Sequence, residues 1–301
     1  MAVRTVYLGT SPFAVAVLER LASSPHRPSL VVTRPDRPRG RGRKLSPPPA
    51  ADAARRLGIE VFQPDSVNSE DARARIAAVD PEAVLICAFG ALIKEPLLSA
   101  YPMYNVHPSL LPRWRGAAPI ERAIEAGDRE TGVSIMRPIA EMDAGPVCLQ
   151  AGEPILDDDD FASLSARLEG LAGDLLVNAL DRLPDFVEQP EEGVTVAEKI
   201  GPEDRRLDPG ATPEALERRV RALTPHVGAY LDLPGGDRLG VRRAAVGDPH
   251  EAPSPGELAA HDGRLLFGAD GGALELLTVQ PAGGRPMDAD AFLRGHAQQF
   301  G

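Results

Sequence analysis

Residues 3–22, VRTVYLGTSPFAVAVLERLA, read as strand, turn and helix, and this unit sets the grammar of the chain. Residues 3–8 have the length and composition of a short buried strand. Gly9, Thr10 and Ser11 turn the chain, and Ser11 followed by Pro12 supplies an N-cap and first position for a helix to about Ala22. Working outward, SLVVT (29–33) is a second strand, and Pro47–Pro49 open a helix, AADAARRL, that stops at Gly58. IEVF (59–62), helical EDARARIAAV (70–79) and the strand AVLICAF (83–89) continue the alternation. Strands alternating with helices imply a mostly parallel α/β sheet covered on both faces. Such sheets carry their sites beyond the carboxyl ends of the strands, where the strand order reverses.

Past this region the pattern changes. VTVAEKIGPEDRRLDPG (194–210) is polar and broken by Gly and Pro, which marks a linker and divides the chain into 1–203 and 204–301. PEALERRVRAL (213–223) is helical. AYLDL, RLGVRRAAV, GELAA, RLLFG and LELLTV follow as short strands separated by PGGD, HDG and ADGG turn signals. That spacing suggests a small β-barrel for residues 204–301.

Composition bounds the function. With 43% hydrophobic and 26% charged residues in 301, the chain is globular rather than disordered. No run approaches the ~18 apolar residues of a membrane span, and MAVRTVYLGT lacks a basic segment followed by a long apolar one. The expectation is a cytoplasmic protein with no membrane partner. Cys87 and Cys148 lie in apolar runs (VLICAF, PVCLQ) and read as buried free thiols, with no disulfide framework and no metal quartet. The net charge of −11 argues against nucleic acid, but it hides a patch. Segment 34–44, RPDRPRGRGRK, carries Arg34, Arg37, Arg39, Arg41, Arg43 and Lys44 against Asp36 alone, a net +5. Read by itself it is a solvated, flexible basic loop.

Several chemistries are absent. No lysine precedes Ser or Thr, so there is no Walker loop, and Gly40-Arg41-Gly42 lacks the third glycine of a dinucleotide fingerprint. There is no nucleophile elbow and no His/Cys metal spacing. What stands out is YNVHPSLLPRWRGAAPIERAI (104–124). Asn105 and His107 are two apart, so on an extended chain they point the same way, and Pro108 keeps His107 extended. Spacing alone leaves two readings open: a catalytic pair, or polar groups satisfying a strand end. Asp143 sits in a turn before Gly145-Pro146, 36 residues beyond His107, and spacing cannot bring the two together.

NVHPSLLPRWRGAAPI, with VTRPDRPRGRGRKLSP before it and TGVSIM…EMDAGPV after it, resembles the folate-dependent formyltransferases, in their methionyl-tRNA branch. GTSPFAVAVLERL, TVAEKI and LLTVQPAGGRPM extend the resemblance over most of the chain. It implies a Rossmann-like formyltransferase domain followed by an OB-like, tRNA-binding barrel. It also implies a catalytic group of Asn105, His107 and Asp143, and 10-formyltetrahydrofolate as formyl donor to the amino group of methionyl initiator tRNA, without metal. Ser109, Leu110, Leu111 and Pro112 resemble the segment bordering the folate, where an apolar wall with exposed backbone groups suits a flat pterin. Phe89 and Gly90, at the end of their strand, are a second candidate wall, and Phe13 a candidate contact for the methionyl side chain. The family's insertion at 34–44 contacts the tRNA acceptor end, which assigns Arg41, Arg43 and Lys44 to phosphate. A monomer is expected.

Residues 205–301 hold eleven Arg and Lys against thirteen Asp and Glu, an unusual balance for an RNA-facing domain. Arg218, Arg219 and Arg221 on the helix, with Arg242 and Arg243 on a strand, read equally as a one-sided basic stripe or as solvated surface charge on alternate faces. A formyltransferase of small amines such as nucleotide sugars, a non-catalytic RNA-binding protein and a formate-releasing hydrolase are the competing readings.

Overall fold

The chain enters its core at once: Val6, Tyr7 and Leu8 are fully buried. The protein is seen here as a computed structural model, which describes residues 2–39, 42, 44–233 and 236–296. The first elements are β1 (Thr5–Gly9), α1 (Pro12–Ala22), β2 (Leu30–Val32), β3 (Arg37–Arg39), β4 (Lys44–Ser46), α2 (Pro49–Arg56) and β5 (Glu60–Phe62). There follow α3 (Glu70–Ala77), β6 (Ala83–Cys87), α4 (Leu97–Ala100), β7 (Met103–His107), β8 (Arg115–Gly116) and α5 (Pro119–Ala126). Next come β9 (Glu130–Met136), β10 (Val147–Pro154), α6 (Phe161–Arg182) and β11 (Val196–Ala197). The cap of α1 forms as read: the Ser11 side chain accepts from Ala14 N and Pro12 takes the first helical position.

A seven-stranded sheet runs in the order β10-β9-β7-β6-β1-β2-β5. It is parallel from β5 to β7, while β9 and β10 add antiparallel strands. Alternate residues Val6, Leu8, Leu30, Val32, Val84 and Ile86 join Ile76 and Phe89 in one core cluster. The intervening Tyr7, Val31 and Leu85 are equally buried, so both sheet faces are covered. After β5 the chain returns to the other side of β1 to lay down β6, which makes the β1/β6 boundary the switch point. There the Thr10 hydroxyl donates to the Phe89 carbonyl at 2.8 Å.

By packing, residues 1–116, 130–154 and 165–196 form one unit, and 117–129, 155–164 and 197–301 form the other. The second unit contains α5 and α7 (Pro213–Leu223). Its strands are β12 (Ala229–Asp232), β13 (Arg238–Val246), β14 (Leu258–His261), β15 (Arg264–Ala269), β16 (Gly272–Pro281) and β17 (Met287–Asp288), followed by α8 (Ala289–His296). The strands run in the order β12-β13-β16-β15-β14, all antiparallel, with β17 on β16. They enclose Leu231, Leu239, Val241, Phe267, Leu274 and Val279 against Leu216, Val220 and Leu223 of α7, a sheet consistent with a small barrel.

Two local readings are corrected. Segment 34–44 is not a plain loop: β3 and β4 pair as a hairpin in the register Arg37↔Ser46, Pro38↔Leu45, Arg39↔Lys44. The cross-strand hydrogen bonds satisfy backbone that Pro and Gly had suggested would be left to water. Helix α8 went unread because ADAFLRGH is short and contains Gly295, but it buries Phe292 and Leu293 in the second core. Among the described residues, no helix is long and apolar enough to cross a membrane.

Both cysteines are free, Cys87 buried and Cys148 partly so. Burial pushes the Cys87 thiol up to about 12 and the Cys148 thiol up to about 11. Because the thiolate is the nucleophile, only about one Cys87 in ten thousand is reactive at pH 8. Native protein is therefore expected to resist iodoacetamide at pH 8 over hours and to label at both cysteines once unfolded, with intact mass as the readout. Fast native labelling at Cys87 would contradict the burial.

Candidate active site

The carboxyl end of β7 delivers the site. Asn105 pairs in register with Ile86 of β6 and Met136 of β9, and His107 with Ser134, so both residues hang from a strand held on each side. Being two apart they project from the same face. His107 is 4% exposed. Its Nε2 lies 2.8 Å from the Trp114 carbonyl, which accepts its proton. Its Nδ1 faces Asp143 Oδ2 at 3.6 Å, an ion-pair separation longer than a hydrogen bond. The structure thus brings together the two residues that sequence spacing could not join. The Asp143 carboxylate also accepts from Gly116 N at 3.0 Å.

Both flanking groups sit on unusual backbone. Trp114 (φ 63°) and Asp143 (φ 51°) are non-glycine residues in the left-handed region, at a cost of about 1–3 kcal/mol each. Asn105 is half-buried. Among the described residues its side-chain amide makes no hydrogen bond, so two donors remain free, while Asn105 itself is paired in register with a strand on each side.

The Ser109–Pro112 loop is a correction in part. An apolar wall with exposed backbone groups was expected; instead that backbone is largely saturated. Buried Ser134 donates to Ser109 O at 2.6 Å and accepts from Leu111 N at 3.0 Å. Gln150 Nε2 donates to Leu111 O at 2.9 Å and to Ser134 Oγ at 2.8 Å, while the Ser109 hydroxyl is spent on Arg113 O. The loop therefore offers a ligand chiefly the half-buried side chains of Leu110 and Pro112. Leu111, with Val147–Gln150 and Val187–Pro190, lines a cleft of about 250 Å³. Ser134 and Gln150 were missed by sequence reasoning, although a serine among the buried residues of the VSIM strand was the available signal.

Phe89 is likewise corrected as a wall: its ring is 4% exposed and belongs to the core cluster. Gly90 beside it is exposed at φ +72° with open space above it. Phe13 is half-buried at the second position of α1, just past the carboxyl end of β1. The basic hairpin rises from the same edge of the sheet. Arg34 donates to the Gly90 carbonyl at 3.1 Å, and Gln63 Nε2 ties down Arg34 O at 2.9 Å and Asp36 Oδ1 at 2.7 Å. Lys44 is exposed on β4, whereas Arg41 and Arg43 lie outside the described residues.

The stripe expected on α7 is spent internally. Arg218 donates to Glu125 O, Arg219 pairs with Glu125 at 3.4 Å, and Arg221 bonds Glu217 and the Asp159 carbonyl. The arginines of the second unit gather elsewhere. Arg205, Arg238 and Arg242 line a cleft of about 200 Å³ around Tyr230, with Asp232 Oδ1 3.7 Å from Arg238 Nε at its side. The Arg238 guanidinium lies 4.2 Å from the Tyr230 ring centroid. Among the described residues, no cluster of His, Cys, Asp and Glu could hold a metal.

With this geometry in place, comparison with known proteins is informative. The Formyl transferase model matches residues 3–180, and the Formyl transferase, C-terminal domain model matches residues 199–297. The chain is 44% identical over 301 residues to a methionyl-tRNA formyltransferase of Methylococcus capsulatus, covering 98% of this chain and 97% of the relative. It is 41% identical over 306 residues to that of Halorhodospira halophila, with 98% and 97% covered. HypX from Aquifex aeolicus, solved in complex with tetrahydrofolic acid, shares the fold at a TM-score of 0.64 with 18% identity, over 100% of this chain and 48% of HypX.

Ser134→Ala strands Ser109 O, Leu111 N and one bond of Gln150 in a buried place. The expected cost is about 1–3 kcal/mol, read as a lower denaturant midpoint. An unchanged midpoint would show that this network does not hold the loop.

Proposed function

The chain belongs to the methionyl-tRNA formyltransferase family, and from that premise we propose that Asn105, His107 and Asp143 carry the reaction. In this reading the formyl group of 10-formyltetrahydrofolate passes to the amino group of methionyl initiator tRNA. The single observation that supports it most is the setting of His107 between the Trp114 carbonyl and the Asp143 carboxylate, next to a free Asn105 amide.

The acceptor is an α-amine with a reference pKa of ~7.7–8.0, lowered further once the neighbouring carboxylate is esterified. Much of it is already a neutral nucleophile at pH 7. The barrier is charge: attack places a negative charge on the formyl oxygen and a positive one on the attacking nitrogen. Asn105 supplies a donor aimed at the oxyanion, an interaction whose loss costs ~2.7–4 kcal/mol. His107 Nδ1, the ring nitrogen not bonded to the Trp114 carbonyl, takes the proton that the amine sheds and hands it to the folate nitrogen, which needs it in order to leave. Asp143 orients the imidazole and stabilises its cation as it forms. The half-buried side chains of Leu110 and Pro112 and the open backbone at Gly90 are the surfaces offered to a flat folate ring.

The tRNA is assigned to two basic surfaces. Segment 34–44, with Arg41, Arg43 and Lys44, takes the acceptor end. The cleft of Arg205, Arg238 and Arg242 supports an RNA role for residues 204–301 despite their net negative balance. We divide the labour at 203/204, with catalysis before it and tRNA binding after it; the C-terminal family model begins five residues earlier, at 199. The protein works as a cytoplasmic monomer without metal.

The test is formylation of methionylated initiator tRNA, with elongator tRNA and small amines alongside, in the presence and absence of the folate donor. Formyl transfer to small amines alone would point to a different acceptor, and formate released without acceptor to a hydrolase. Asp143→Asn is expected to lower kcat by about 10²–10⁴-fold with the fold intact by circular dichroism; near-normal turnover would remove Asp143 from the mechanism. Neutralising Arg41, Arg43 and Lys44 together is expected to raise the tRNA KM and to flatten its log–log salt dependence, by up to about 0.9 for each phosphate no longer neutralised, while folate KM stays unchanged. An unchanged tRNA KM would contradict the hairpin's assignment.

A further inference from the structure

Residues 187–195, VEQPEEGVT, are mostly exposed, yet they hydrogen-bond to both loops that face His107. On the Asp143 side, Val187 and Val147 exchange backbone bonds of 2.8 and 2.9 Å. Gln189 Nε2 donates to the carbonyls of Asp143 at 2.8 Å and Gly145 at 2.7 Å. On the Trp114 side, the Thr195 hydroxyl accepts from Trp114 N at 2.8 Å, and Thr195 O accepts from Arg115 N at 2.9 Å. Arg115 Nε closes the loop by donating to Gln189 Oε1 at 2.9 Å. Two inward side chains of one surface segment therefore hold the backbone of the two residues whose oxygens face the imidazole.

Both of these residues are also held at positive φ. A loop left to itself would relax out of that region, and each relaxation would carry one acceptor away from the ring. Gln189 is suited to the task because a primary amide offers two N–H donors and an acceptor at once. Here the donors take the two carbonyls of the Asp143 loop, and the acceptor takes the guanidinium from the Trp114 loop.

We propose that Gln189 and Thr195 are positioning residues of the transfer reaction: they fix Asp143 and the Trp114 carbonyl on the two sides of His107 without themselves meeting either substrate. This rests on the assignment of His107 and Asp143 above. A small displacement of a reacting group can cost up to about 10²-fold in rate. The expected signature is a loss in kcat rather than in binding.

The experiment measures kcat and both KM values on full-length protein for Thr195→Val, Thr195→Ser, Gln189→Leu, Gln189→Glu and Asp143→Asn, with the melting temperature of each. Thr195→Val removes the acceptor at constant shape, and Thr195→Ser keeps it. Gln189→Glu keeps the acceptor for Arg115 but loses both donors. Thr195→Val, Gln189→Leu and Gln189→Glu are each expected to lose about tenfold or more in kcat, with both KM values near wild type, while Thr195→Ser stays near wild type throughout. Wild-type kcat in Thr195→Val and Gln189→Glu beside an inactive Asp143→Asn would overturn the positioning role and leave the catalytic assignment standing. A lowered melting temperature with unchanged kcat would also overturn it, as a purely structural tie. A raised KM at constant kcat would overturn it in favour of direct substrate contact. An active Asp143→Asn would instead remove the assignment beneath it.

Discussion

His107 is a polar ring in a place that water scarcely reaches, and a buried polar group must be satisfied by the protein itself. The partner at Nε2 is the Trp114 carbonyl, and the group facing Nδ1 is the Asp143 carboxylate. Much of the local structure follows from that demand. Trp114 and Asp143 are held at positive φ, Gly116 N bonds the carboxylate, and a surface segment ties both loops from outside. Strain at a site persists only where its surroundings over-determine it, and the hydrogen bonds around residues 113–116 and 143–147 are that over-determination.

The sheet decides where this can happen. Paired on both sides, β7 is a stiff platform, and its carboxyl end lies at the same edge as the β1/β6 switch point. Thr10 and Arg34 stitch the loops after β1, β2 and β6 to one another, so the base of the basic hairpin is fixed to the edge that carries Asn105 and His107. On the proposed assignment, an RNA surface and a one-carbon site share that edge because each asks for something different from it: the first guanidinium and ammonium groups in solvent, the second a dry ring and a free amide.

Much of this was legible in the sequence, for physical reasons. The strands around β1 and β6 are apolar runs of strand length, and the cap of α1 announces itself through Ser11-Pro12. The side chains of Asn105 and His107 were readable as a same-side pair from a period of two. Asp143 was not, since a partner 36 residues away is joined by topology, and only the family resemblance named it. The support was less visible still. Ser134, Gln150, Gln189 and Thr195 act by hydrogen bonds to backbone atoms of distant loops, which leave no periodic trace. The arginines of α7 misled for the opposite reason: a charge count cannot distinguish a guanidinium facing solvent from one spent on Glu125 or on the carbonyl of Asp159. Phe89 misled in the same way, as a ring at a strand end that turned out to complete the core.

The central claim is geometric, and the structure of a ternary complex tests it most directly. Protein crystallised with a non-transferable formylfolate and a short methionyl-RNA mimic should show the formyl oxygen on the Asn105 amide and the formyl carbon about 3–3.5 Å from the acceptor nitrogen, with His107 still between Trp114 and Asp143. A formyl group seated away from Asn105, or an acceptor nitrogen approaching from an edge of the sheet that His107 does not reach, would contradict the account.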